Sequence, residues 1–153
     1  MSKPVYFEDF AAGQVREFGS YHVTAEEIVT FATRYDPQPF HVDEAAAAKS
    51  IYGGLIGSGW MTCAIAMRMV CDDYIIDAAS MGSPGVDLLR WKLPVRPGDV
   101  LHMRLTVLEV KPSQSKPDRG IVRSHWEVLD QRNEVVMTSE GIGMFRRRPA
   151  AGA

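Results

Sequence analysis

Asp36 and His41 stand five positions apart in Asp36-Pro37-Gln38-Pro39-Phe40-His41, and two prolines stiffen the backbone between them. Each proline fixes its own φ and pushes the residue before it out of helical geometry, so an extended, rigid loop is expected. A carboxylate and an imidazole at fixed positions suit proton transfer near neutral pH, because each needs a defined place to take up and return a proton. The same spacing also fits an ordinary polar loop.

A second stretch with chemical potential is Tyr52-Gly53-Gly54-Leu55-Ile56-Gly57-Ser58-Gly59, with four glycines in eight positions, feeding the apolar run Trp60 to Cys71. A glycine turn that opens a helix presents free amides and the positive dipole end, and lets a carbonyl or phosphate approach the backbone. Close helix packing fits equally well, since neither Gly-x-Gly-x-x-Gly nor a P-loop pattern occurs. Gly57-Ser58-Gly59 lacks the Gly-x-Ser-x-Gly elbow, so Ser58 is not expected to be a nucleophile. His22 and His125 read as structural or exposed, and His102 as solvent-facing. Trp60, Trp91 and Trp126 read as core or dimer contacts, and Met61, Met67 and Met69 as helix packing that could also face an acyl chain.

The elements that must position these residues follow from capping and periodicity. Thr24-Ala25-Glu26-Glu27 fits a capping box, and Ile28, Phe31, Ala32 and Tyr35 then share one apolar helix face. Asp36-Pro37 ends that helix and delivers Asp36 to the loop. Asp43 is expected to cap a short helix through Glu44 to Lys49. The helix from Trp60 is apolar nearly all round, so other structure should enclose it. Strands are expected at 15–18 and 21–23, in the second half of 86–93, and at 100–110, 121–129 and 135–145. In 100–110, Leu101, Met103, Leu105 and Val107 alternate with His102, Arg104 and Thr106. Residues 94–99 and 130–133 read as turns and 111–120 as a polar loop; Gly141 and Gly143 suggest a bulge or a close backbone approach. The layout is α+β, one antiparallel sheet folded around a single long helix. Its exposed edges call for a second copy.

Bulk properties narrow the function. At 153 residues the chain reads as one domain over 1–153, with an ordered core at about 6–145 and a short C-terminal tail. A net charge of −2 with 24% charged residues offers no basic field for nucleic acid. Arg146-Arg147-Arg148 reads as a solvated tail, with contact to a phosphate-bearing ligand as the alternative. No membrane span is expected, because Arg68, Asp72 and Asp73 interrupt the longest apolar region. The early acidic residues do not suit a secretory leader. Cys63 and Cys71, about 12 Å apart on one helix, are too distant for a disulfide and read as small core residues in a reducing cytosol.

Asp36-Pro37-Gln38-Pro39-Phe40-His41, with Ala47 six positions further on, resembles the D-x-N-P-x-H-x5-A signature of the R-specific enoyl-CoA hydratases and MaoC-like dehydratases. The glycine turn, the Pro94 to Asp99 turn and the long closing strands agree in order and spacing from about Tyr6 to Phe145. The resemblance implies a hot-dog fold, a homodimer or dimer of dimers, and a cytoplasmic enzyme acting on acyl-CoA without a metal or other cofactor. Carried over by position, Asp36 and His41 activate water and Gly59 supplies an oxyanion amide; Gln38, Phe40, Gly54, Ser58 and Trp60 are placed with the substrate. Two departures stand out. The signature asparagine is Gln38, whose amide sits one methylene further out and must rearrange its hydrogen bond. A Ser-Gly pair before the aspartate is replaced by Arg34-Tyr35, and Tyr35 is expected to narrow the acyl pocket. The implied reaction is reversible hydration of a trans-2-enoyl-CoA to an (R)-3-hydroxyacyl-CoA. An acyl-CoA thioesterase using Asp36 or Asp43, and a non-catalytic acyl-CoA binding subunit, are the alternatives.

Overall fold

A computed structural model describes residues 3–152. Met1, Ser2 and Ala153 lie outside the described residues, and with them the outermost ends of the expected 1–153 domain and the start of the N-terminal stretch.

Five strands form one antiparallel sheet: β1 (Val15–His22), β2 (Val86–Trp91), β3 (Val100–Pro112), β4 (Arg119–Leu129) and β5 (Val135–Arg146), in the order β1-β3-β4-β5-β2. Strict alternation puts Leu101, Met103, Leu105 and Val107 of β3 on the inner face, where all four are buried. The two strands expected near the N-terminus are one. Gly19 (φ +89°) makes a bulge between Phe18 and Tyr21 that lets β1 continue, and a Cβ there would press on the Met69 side chain. The expected polar loop at 111–120 is shorter, because β3 and β4 pair as far as Pro112 and Gly120. Gly141 does meet another backbone: a Cβ on it would lie 3.0 Å from the Gly85 carbonyl oxygen.

The helices are α1 (Ala25–Tyr35), α2 (Pro39–Val42), α3 (Glu44–Lys49) and α4 (Gly59–Val70). Thr24 Oγ1 accepts from the Glu27 amide at 3.1 Å, half of the expected capping box. The Glu27 carboxylate completes no box, because it accepts the Tyr21 hydroxyl proton instead. Asp43 caps α3 through the Ala46 amide, at 3.1 Å. The stretch expected to be extended as far as His41 turns helical at Pro39, since proline at the first helical position is already at helical φ and lacks only an amide that would go unpaired.

Helix α4 packs Met61, Ile65, Ala66, Met69 and Val70 against the inner face of the sheet, with Ile28 of α1 in the same core. Its opposite face is not enclosed: Trp60 is 58% exposed and Met67 42%. Five strands cover one side of a helix, so the all-round apolar pattern is only half satisfied within one chain. A bulged turn, Cys71–Ile75, extends the helix. Cys63 and Cys71 are free and part-exposed rather than fully buried. Beyond β5, Arg147 pairs with Glu8, and Arg148 pairs with Asp9 and lies over the Tyr6 ring, so the basic tail is tied to the N-terminal turn. This arrangement is the hot-dog fold.

The turn after β4 is anchored by Asp130, whose Oδ1 accepts from the Arg132 and Glu134 amides at 2.9 and 3.0 Å. Burial raises its carboxyl pKa, but these amides and the Arg132 guanidinium outweigh that and hold it below the usual range. A depressed folded-state pKa stabilises the protein above the unfolded value, about 3.9, and that contribution disappears as pH falls through the folded value. Asp130→Ala should cost about 1–3 kcal/mol in urea unfolding at pH 7, and the gap from the wild type should shrink below about pH 4. Leu101→Ala, which empties a fully buried inner-face position, should cost about 2–5 kcal/mol at either pH.

Candidate active site

Three segments meet beneath the N-terminus of α4. The Ile56 amide donates to the Phe40 carbonyl at 3.3 Å, and the Gly57 amide donates to the Val95 carbonyl at 2.8 Å. The 94–99 turn is itself fixed: the Gly98 amide donates to Val23 O at 2.7 Å, and Asp99 accepts from the Arg96 amide and the Gln131 side chain. The glycine segment is therefore strapped on both sides before α4 begins. Ser58 is the N-cap; its Oγ accepts from the Trp60 amide at 3.3 Å.

Asp36 and His41 meet within this frame, with His41 Nε2 3.3 Å from Asp36 Oδ2. His41 is only 5% exposed. Its Nδ1 lies 2.7 Å from the Ile56 carbonyl oxygen, which can only accept, so Nδ1 carries the proton of the neutral ring. That leaves Nε2 as the nitrogen that exchanges protons. Asp36 accepts at both oxygens: Oδ1 from Gln38 Nε2 and Oδ2 from Ser58 Oγ, each at 2.7 Å. Burial pushes its carboxyl up, but the Gln38 and Ser58 hydrogen bonds and the His41 charge prevail and hold it below the usual carboxylate value. Asp36 is thus an oriented anion at neutral pH.

The pair opens into a cavity of about 470 Å³ bordered by Asp36, Gln38, Phe40, His41, Gly59 and Trp60. Trp91, Lys92, Tyr52 and Thr62 also border it; nothing in their spacing linked them to Asp36. Gly59 is the first helical residue of α4, so its amide has no intrahelical partner and is available to an oxygen in the cavity. Ser58 differs from its expected place beside substrate: it is fully buried and holds Asp36 from behind. Gly54 does not border the cavity and lies against Arg96. Tyr35 does not narrow the cavity either; it is 62% exposed and packs on Phe31 and Arg34. Asp43, exposed and occupied as the α3 cap, also lies away from it.

On the far side of Trp60 lies a larger apolar cavity of about 660 Å³, between α4 and the inner faces of β2, β4 and β5. Cys63, Met67, Leu89, Trp126 and Met137 are among its walls, and Trp60 borders both cavities. Among the described residues, no three His, Cys, Asp or Glu side chains gather to hold a metal ion. No described helix is long and apolar enough to cross a membrane.

Comparison with known proteins finds a family match over most of the chain. Residues 9–128 match the family described as the MaoC like domain. The uncharacterized protein YdeM of Bacillus subtilis is 30% identical over 140 residues, which span 92% of this chain and 98% of that protein. The 3-hydroxybutyryl-CoA dehydratase of Methylorubrum extorquens is 26% identical over 117 residues, 73% of this chain and 69% of that one. Among solved structures, a MaoC-like dehydratase from Rhodospirillum rubrum is 43% identical with a TM-score of 0.88, covering 95% of this chain and 99% of that one.

A Cβ on Gly59 would overlap the indole of Trp91, which also meets Trp60 edge to face at 5.1 Å. Gly59→Ala should therefore displace Trp91 and destabilise the fold by about 1–3 kcal/mol, with a change in tryptophan fluorescence. Combined with Trp91→Ala, the loss should be smaller than the sum of the single losses, by roughly 0.5–3 kcal/mol in a double-mutant cycle.

Proposed function

The chain belongs to the MaoC-like dehydratase family, and on that footing we propose that it catalyses the reversible hydration of a trans-2-enoyl-CoA to an (R)-3-hydroxyacyl-CoA in the cytoplasm. The observation that carries this reading is the Asp36–His41 pair, 3.3 Å apart at the edge of a cavity that is also bordered by Gly59, the first residue of α4. Water is a poor nucleophile and needs a base. In the proposed reaction a water held by both Asp36 and His41 bonds through its oxygen to Cβ of the enoyl group, and one of its protons passes to the pair. As the C–O bond forms, electrons move through Cα to the thioester oxygen, giving an enolate. The Gly59 amide faces that oxygen, a contact that strengthens as charge develops and is typically worth roughly 3–4 kcal/mol of barrier. The pair then returns a proton to Cα, so that one water is added overall. The coenzyme A portion belongs to the substrate, and the proposed cycle includes no further cofactor.

The working form is proposed to be a homodimer. Strand β2 is a sheet edge with Val86, Leu88 and Trp91 exposed, next to the uncovered Trp60 and Met67 of α4. A second copy of the same surface would cover both. The thioesterase reading requires a carboxylate directing water at the carbonyl carbon. Among the described residues Asp36 is the carboxylate that borders the cavity and could serve it, since Asp43 lies elsewhere.

With crotonyl-CoA, absorbance of the conjugated enoyl thioester should fall without release of free thiol. Asp36→Ala and His41→Ala should each reduce that rate by roughly 10²–10⁴-fold in folded protein. Unimpaired hydration in either variant would overturn the assignment, and thiol release in step with absorbance loss would favour the thioesterase. Sedimentation should give twice the chain mass, and Leu88→Arg should shift it towards monomer.

A further inference from the structure

Asp36, which borders the cavity, has both oxygens engaged by neutral donors that come from different parts of the chain. Gln38 reaches back past Pro37 to Oδ1, while its own amide donates to the Asp36 carbonyl at 2.8 Å. Ser58, 22 residues after Asp36, reaches Oδ2 from the start of α4. The directions of these bonds are constrained. Ser58 Oγ already accepts from the Trp60 amide, so its proton is the one directed to Asp36. A neutral Asp36 would turn its hydroxyl against one of these two donors, whereas the anion accepts from both. The other titratable groups bordering the cavity are His41, Tyr52 and Lys92. Of these His41 touches the carboxylate, and its Nδ1 proton is engaged by Ile56 O.

We propose that Gln38 and Ser58 are positioning residues that hold Asp36 as an oriented carboxylate, one donor on each oxygen, so that His41 Nε2 carries the proton between water and substrate. This rests on the hydratase reading above and divides its labour: Asp36 orients the water and faces the imidazolium, and His41 takes the water proton and returns it to Cα. It also gives Gln38 a role of its own. Its longer side chain allows the residue after Pro37 to fold back onto the carboxylate.

The test uses Gln38→Met, which keeps the length and removes the donor, and Ser58→Gly, which removes the hydroxyl at a position where glycine also starts helices well. Two readouts are taken on each protein: the titration of the Asp36 carboxyl carbon by 13C NMR, and steady-state hydration of crotonyl-CoA. In both variants Asp36 should titrate at higher pH than in the wild type. kcat should fall roughly ten- to a hundredfold, the size of a lost hydrogen bond to a charged group, with KM changed by less than about twofold. Unchanged Asp36 titration, or a raised KM with unchanged kcat, would overturn the proposal and make these residues structural or substrate-binding. If the wild type fails to hydrate crotonyl-CoA while Asp36 still moves up in both variants, the hydratase reading falls and the positioning of Asp36 by Gln38 and Ser58 stands.

Discussion

The hydrogen bond from His41 Nδ1 to the Ile56 carbonyl, 2.7 Å long, is the contact on which the site depends. A carbonyl oxygen can only accept, so this bond selects one tautomer of the neutral ring and turns the other nitrogen to the cavity. It also satisfies a buried polar group that would otherwise be costly to enclose. The strap continues on either side: Ile56 donates to Phe40 O, and Gly57 donates to Val95 O. Moving the glycine segment would therefore move the imidazole with it. The position of the imidazole and the start of α4 are one structural quantity.

Proline acts on the other half of the pair. Pro37 keeps the chain extended as it leaves α1, and Pro39 starts a single helical turn that brings His41 round beneath α4. An extended segment as far as His41 would carry the ring away from Asp36 at about 3.3 Å per residue, whereas a helical turn advances only about 1.5 Å per residue. The short helix α2 is thus what allows a five-residue separation to become a 3.3 Å contact between side chains. Stiffness alone did not predict that closure.

What could be read from the residues was mainly local. The alternation in β3, the caps at Thr24 and Asp43, the end of α1 at Asp36 and the glycine entry to α4 all depend on neighbours within a few positions. What escaped depends on partners far along the chain. Ser58 could be seen as a residue before a helix, but not as a donor to Asp36, because no periodicity links the two. Glu27 looked like the second member of a capping box, and Tyr21 from β1 claims it instead. Tyr35 fitted the apolar face of α1 by spacing, yet its position at the last turn leaves it outside the core. An apolar pattern all round α4 predicts cover on every side without stating which molecule provides it. One chain supplies half.

Gly59 shows why that uncovered half matters to the chemistry. Its missing side chain lets the Trp91 ring lie against the backbone at the start of α4, beside the cavity that Gly59 borders. Trp91 belongs to β2, an edge strand held in the sheet through β5, and it meets Trp60, which borders both the cavity beside Asp36 and the larger apolar one. The register of β2 against β5 therefore fixes where Trp91 lies, and Trp91 in turn limits how closely α4 approaches that edge. A surface that covers β2 would act on the same two tryptophans. Through them the sheet edge, the boundary between the cavities and the start of α4 are mechanically joined.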